Sequence, residues 1–266
     1  MRRQVRGREI GYDDRGQGAP VVLLHPFPFA RDMLDLVVTA LAPRCRVISV
    51  DARGFGESSL RALEGSSAPY AITDLADDLA ALLDALDVPR VALLGMSMGG
   101  YTALAFAARY GMRLSALVLA DTRAAADSPE TRAKREAALS TVHSRGGAAY
   151  LDGGALAPML SGSAPEALRT HVRARAESRE DSLVAGIEAL RDRPDRTAEL
   201  GAIECPTLVV CGAEDQISPP GEMRRMSERI RLARYVELPG AGHLSHLEAP
   251  ELFTAAVGEF LAGPSR

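Results

Sequence analysis

The chain has 266 residues, 47% of them hydrophobic and 25% charged, with a formal net charge of -4. A chain of this length buries a sizeable core without disulfide staples, and its slight negative charge gives no pull toward nucleic acid or anionic membranes. Aromatic residues at 5%, with no tryptophan, argue further against stacking platforms for nucleic acid.

The amino-terminal stretch MRRQVRGREIGYDDRG is basic but lacks the apolar run of a signal peptide, and residues 1–14 read as a less regular hairpin at a sheet edge. No apolar run is long enough to span a bilayer. Short Val- and Leu-rich runs then follow at 20–24, 46–50, 91–95, 114–120, 206–211 and 234–238. They do not alternate with polar residues, as expected of strands buried on both faces. Helical patterns separate them, which predicts a mostly parallel central sheet flanked by helices. Residues 73–87 place Leu75, Leu79, Leu82, Leu83 and Leu86 on one stripe, with Thr73 as N-cap. Residues 98–110 form a small-residue helix suited to close packing. A last helix near 247–261 carries Leu252, Val257, Phe260 and Leu261.

Residues 122–200 break this rhythm. They hold many charges and no strand-like run. Ser128-Pro129 and the Ser163–Glu166 spacing mark helix starts, while Gly146-Gly147 and Gly153-Gly154 punctuate. The segment reads as a helical cap inserted into a core of residues 1–121 and 201–266. The three cysteines, Cys45, Cys205 and Cys211, lie in or beside strands. They read as reduced thiols of a cytoplasmic protein.

The strongest chemical signal is Gly95-Met96-Ser97-Met98-Gly99, a G-x-S-x-G that follows a buried strand and opens a helix. Such a turn strains the serine backbone and leaves no room for side chains at Gly95 or Gly99. The Met98 N–H, unpaired at the helix start, can point at a developing oxyanion. Taken alone, the pentapeptide is also compatible with glycines that serve only helix–strand packing. A serine hydroxyl needs a base, and the base an orienting acid. In an open α/β sheet such groups gather beyond the carboxyl ends of strands. Strand 206–211 runs into Gly212-Ala213-Glu214-Asp215, and strand 234–238 into Pro239-Gly240-Ala241-Gly242-His243. Ser97, Asp215 and His243 thus follow in the order nucleophile, acid, base. Asp121, which also ends a strand, stands as the alternative acid. Glu214 is expected to face solvent.

On its elbow, its DARGFGES turn (51–58), its CGAEDQISPP acid loop (211–220) and its PGAGHLSHLEAP loop (239–250), the chain resembles the α/β-hydrolase superfamily along nearly its whole length. Residues 191–210 further resemble the branch holding 3-oxoadipate enol-lactonases, cofactor-free haloperoxidases and small esterases. The resemblance implies an α/β-hydrolase fold with an inserted cap, a Ser-Asp-His triad, and Phe27 as the second oxyanion N–H donor. One departure stands out: His25-Pro26-Phe27-Pro28 occupies the place where the family usually has His-Gly. The loop must take another path there, with a cis bond before Pro28 as one route, and His25 reads as a buried hydrogen-bonding residue.

The implied function is a carboxylic ester hydrolase, esterase or lactonase, acting on a small molecule through an acyl-enzyme and needing no cofactor, nucleic acid or membrane. Perhydrolase or acyltransferase chemistry on the same triad, or a non-catalytic small-molecule receptor, remain the alternatives. A serine nucleophile argues against dehalogenases and epoxide hydrolases, whose family site uses aspartate. His243-x-x-His246 lacks the spacing and glutamate of a zinc protease helix, so no metal is expected. The Arg169, Arg173, Arg175, Arg179 run is interleaved with Glu177 and Glu180 and reads as a solvated cap surface.

Overall fold

The Val- and Leu-rich runs become one sheet in the computed structural model, which describes residues 1–61 and 69–263. Its strands are β1 (Arg2–Val5), β2 (Arg8–Arg15), β3 (Ala19–Leu24), β4 (Cys45–Val50), β5 (Val91–Met96), β6 (Leu114–Ala120), β7 (Thr207–Gly212) and β8 (Ala233–Leu238). They lie in the order β1-β2-β4-β3-β5-β6-β7-β8. The edge hairpin β1–β2 is antiparallel and joins β4 antiparallel, and every later pairing is parallel.

Helices cover both faces, because alternate residues of each buried strand point to opposite sides. Val22, Ile48, Leu93 and Leu119 pack with Leu75, Leu79 and Leu83 of α2 (Ile72–Ala85) and with Leu104 and Phe106 of α3 (Met98–Tyr110). Val21, Val47, Leu94 and Val118 face the other way, onto Val37 and Val38 of α1 (Asp35–Leu41). Each such Val or Leu side chain taken fully out of water contributes about 1.5–3 kcal/mol.

Between β6 and β7 come α4 (Pro129–Tyr150), α5 (Glu166–Arg175) and α6 (Glu180–Arg191), the inserted helical cap. Helix α4 breaks at Gly146, whose φ of 83° and ψ of 164° lie outside the helical region. Only glycine takes such a conformation cheaply. The chain closes with α7 (Pro220–Glu228), the short α8 (Ser245–Glu248) and α9 (Pro250–Ala262).

Three local expectations change. Helix α2 starts at Ile72, and the Asp74 carboxylate accepts from the Ala71 N–H at 3.0 Å, so Thr73 is not the cap. Helix α5 starts after Pro165 without a side-chain cap, because Ser163 Oγ lies 3.1 Å from Ser161 Oγ instead. The final helix is two helices, and Phe253, not the half-exposed Leu252, joins Val257 in the core. Ala249, at φ -131° and ψ 57°, separates the two helices, and Pro250 starts the second.

Candidate active site

Ser97 sits between the last residue of β5 and the first of α3, at φ 51° and ψ -111°. A non-glycine residue held there costs on the order of 1–3 kcal/mol and persists only where its surroundings force it. The surroundings do so. The Ser97 N–H donates to the Ala120 carbonyl at 2.9 Å. Its carbonyl accepts from Gly100 and Tyr101 N–H at 2.9 and 3.1 Å and from Thr122 Oγ1–H at 2.8 Å. A Cβ at Gly95 would lie 2.2 Å from the Gly99 carbonyl oxygen, and one at Gly99 would lie 2.2 Å from the Leu24 oxygen. Neither fits, so strand and helix approach this closely only with glycine at both places.

The acid and base loops converge on this turn. His243 Nε2 is 2.8 Å from Ser97 Oγ, and Nδ1 is 2.8 Å from Asp215 Oδ2. The other Asp215 oxygen accepts from the Ile217 and Ser218 N–H groups at 2.8 and 2.9 Å. That fixes the carboxylate so that Oδ2 faces the imidazole. A carboxylate on Nδ1 favours the tautomer that leaves Nε2 to accept the serine proton. All three side chains are buried, with Ser97 keeping 9% of its surface exposed.

Phe27 lies in the loop after β3, before a cis Phe27–Pro28 bond. Among the described residues, neither the Phe27 nor the Met98 N–H has a protein acceptor. His25 behind them is structural. Its Nδ1 lies 2.9 Å from the Pro26 carbonyl, and its Nε2 accepts from Ala52 N–H at 2.9 Å. Burial pushes its pKa down, which keeps the ring neutral in this role.

The remaining candidates fall outside this chain of bonds. Asp121 is fully buried, yet Oδ1 takes the Gly212 N–H at 2.9 Å and Oδ2 takes the Ser245 hydroxyl at 2.5 Å. Burial and the nearby Asp215 carboxylate push its pKa well above the usual range. Asp121 therefore ties β7 and the histidine loop to β6 and does not reach His243. Glu214 is exposed, as expected. His246 Nε2–H donates to the Met33 carbonyl, 2.9 Å away, and the ring packs edge-on against Phe253. Burial drives the Cys211 thiol up to about 12, the wrong direction for a nucleophile. Cys45 is only half-buried. The arginine run is engaged on the surface: Arg173 with Asp152, Arg175 with Asp32, Arg179 with Glu177, and Arg169 on the Ser161 carbonyl. Among the described residues, no group of three or more His, Cys, Asp or Glu is arranged to hold a metal ion. No described helix is long and apolar enough to cross a membrane.

Sequence reasoning missed two supports. Thr122 holds the Ser97 carbonyl from across the sheet. Glu248 accepts from Gly242 N–H at 2.7 Å and from Ser161 N–H at 2.9 Å, bridging the histidine loop and the cap. Glu248 follows His243 by five residues within PGAGHLSHLEAP, but nothing in its spacing announces the cap partner.

Parallel strands that deliver these groups to one edge define a class, and the chain belongs to it: residues 19–250 match the alpha/beta hydrolase fold family. Within that family the chain is similar to a thermophilic esterase from Thermogutta terrifontis, with 36% identity, a TM-score of 0.88 and 98% of each chain covered. It is also similar to the enol-lactonase from Burkholderia xenovorans LB400, with 30% identity, a TM-score of 0.89, and 98% of this chain and 100% of that one covered. A third relative is 3-oxoadipate enol-lactonase 2 of Acinetobacter baylyi, 29% identical over 79% of this chain and 76% of that protein. These likenesses fall in the branch to which residues 191–210 pointed.

Proposed function

We propose that the chain hydrolyses a small ester or lactone, with Ser97 as nucleophile, His243 as base and then acid, and Asp215 as the orienting acid. The observation that carries this reading is one imidazole held 2.8 Å from both Ser97 Oγ and Asp215 Oδ2. The esterase and enol-lactonase relatives support the substrate class.

Ser97 Oγ attacks the acyl carbon while its proton passes to His243 Nε2. Asp215 stabilises the imidazolium, and the Phe27 and Met98 N–H groups receive the oxyanion. Collapse breaks the acyl–oxygen bond, and the leaving alkoxide takes the proton from His243. In a lactone that alkoxide stays tethered to the acyl group. Water then attacks the acyl-enzyme, gives its proton to His243, and the second collapse frees Ser97. Each proton moves between Ser97, His243, water and substrate, so the scheme asks for no cofactor. The cap, residues 122–200 in this proposal, closes over a core of 1–121 and 201–266 and governs which acyl groups enter.

The test is a panel of p-nitrophenyl esters of graded chain length beside several lactones, run with wild type and Ser97→Ala. Ser97→Ala should lower kcat by about a million-fold, leaving the residue of rate due to binding and the oxyanion hole. A fluorophosphonate should add its mass to Ser97 alone. If no substrate is turned over faster by wild type than by Ser97→Ala, the reading is wrong.

A further inference from the structure

Helix α6 of the cap rests on the loop that carries Phe27 through a glycine. A Cβ at Gly186 would lie 2.6 Å from Phe27 Cε2, 2.9 Å from Phe27 Cδ2 and 3.2 Å from Phe55 Cζ. The Phe27 ring has nowhere easy to retreat. It is buried and packs edge-on against Phe55 at 5.8 Å, and Phe55 in turn meets His25 at 5.7 Å. The same stretch of cap grips both walls of this ring by hydrogen bonds. Glu177 N–H donates to the Pro28 carbonyl at 2.8 Å, and Ser182 Oγ–H and the Arg179 guanidinium both donate to the Gly54 carbonyl at 2.6 Å. Phe27 is thus clamped between core and cap, through its ring and through the carbonyl of the following residue, Pro28, while its own N–H has no acceptor among the described residues.

From this we infer that α6 is a positioning element for the oxyanion donor, and that Gly186 sets where the Phe27 N–H points. The inference rests on the proposed role of Phe27 in ester hydrolysis. A larger residue at 186 pushes the ring. Because the ring is held against Phe55, the displacement passes into the backbone of residues 26–28. An oxyanion donor acts only at hydrogen-bond distance from the tetrahedral intermediate, so such a shift weakens the transition state more than the bound ester.

Gly186→Ala tests this, and alanine is the better helix former, so the substitution does not weaken α6 by itself. With p-nitrophenyl acetate, kcat should fall about 10–100-fold while KM stays within about twofold, because the loss approaches that of one oxyanion donor. Affinity for a trifluoromethyl ketone, whose Ser97 adduct places an oxyanion in the same spot, should fall by the same factor. Adding Phe27→Leu removes ring atoms at the clash, so the double variant should match Phe27→Leu alone in kcat. Gly186→Ala with unchanged kcat and inhibitor affinity would overturn the inference, as would a double variant well below Phe27→Leu. That second comparison decides the matter even if Gly186→Ala alone does not fold. Loss of activity in Ser97→Ala beside full activity in Gly186→Ala would sink this inference alone. Activity retained in Ser97→Ala would sink the function proposal itself.

Discussion

His243 and His246 stand three residues apart and do opposite work. His243 bridges Ser97 and Asp215, whereas His246 is buried against Phe253 with one ring nitrogen on the Met33 carbonyl. Replacing His243 by alanine should cost several orders of magnitude in kcat, since serine and base act as a unit. Replacing His246 by alanine should leave kcat within a few-fold but lower stability by about 2–4 kcal/mol, through a cavity and an orphaned carbonyl. The comparison needs only initial rates and urea midpoints of the two variants, and the opposite ranking of rates would refute the assigned roles. His246 also makes stability depend on pH. Burial lowers its pKa to about 4, from an ordinary value of 6.5. Between those values the unfolded chain takes up a proton that the folded chain refuses. Its contribution is complete above about pH 6.5 and is lost as pH falls, by up to about 3 kcal/mol near pH 4. Urea midpoints should fall between pH 7 and pH 4.5, and less steeply in His246→Asn. His25, also shifted down by burial, adds to the same trend. The different placement of these two histidines was legible in sequence because one ends a glycine-rich loop after a strand and the other begins a helix. The Met33 partner was not, since it lies on a distant turn.

At the scale of an element, the elbow shows why the glycines are where they are. Gly99→Ala would force a methyl against the Leu24 carbonyl, where backbone cannot yield as a side chain tip can. The variant should lose about 1–3 kcal/mol of stability and most of its activity, because strand β3 and helix α3 must part and carry Ser97 with them. A stable, fully active Gly99→Ala enzyme would show that the close approach is not required. Helix starts give a contrasting lesson. Ser128 accepts from the Thr131 N–H at 3.2 Å, as its Ser-Pro signature predicts, so Ser128→Ala should cost about 1 kcal/mol in a urea titration. The Ser163 signature fails because a second serine, Ser161, lies within reach of its hydroxyl. A capping motif states a local preference, and a competing partner nearby decides whether it is used.

For the whole molecule, the cap is stitched to the core on both sides of the site. Leu139, Val142, Leu183 and Ile187 share a hydrophobic cluster with the α2 and α3 face of the sheet, while Met159, Leu160 and Val172 share the other. Glu248 and the Leu244 N–H to Met159 carbonyl bond at 2.9 Å join the cap to the histidine loop. A cap so joined should not melt alone. Calorimetry should give one transition, with calorimetric and van't Hoff enthalpies in agreement. Glu248→Ala should lower Tm by several degrees and reduce kcat, because it unpins the loop carrying His243. Two resolved transitions in wild type would mean that cap and core are separate folding units.

The parallel sheet, the elbow, and the loops on which Asp215 and His243 ride were all legible along the chain. These are local matters: apolar runs without alternation, glycines around a serine, and polar residues just past strand ends. The cap was marked as well, by the absence of strands between Ala120 and Thr207. The choice between Asp215 and Asp121 as the hydrogen-bond partner of His243 came from packing in space, because both are carboxylates just past strand ends and differ in which oxygens the neighbouring loops already occupy. Only the tertiary structure showed Gly186 against Phe27 and Glu248 between loop and cap. Those contacts join residues far apart in the chain, and their energy depends on distance in space, which no spacing along the sequence encodes.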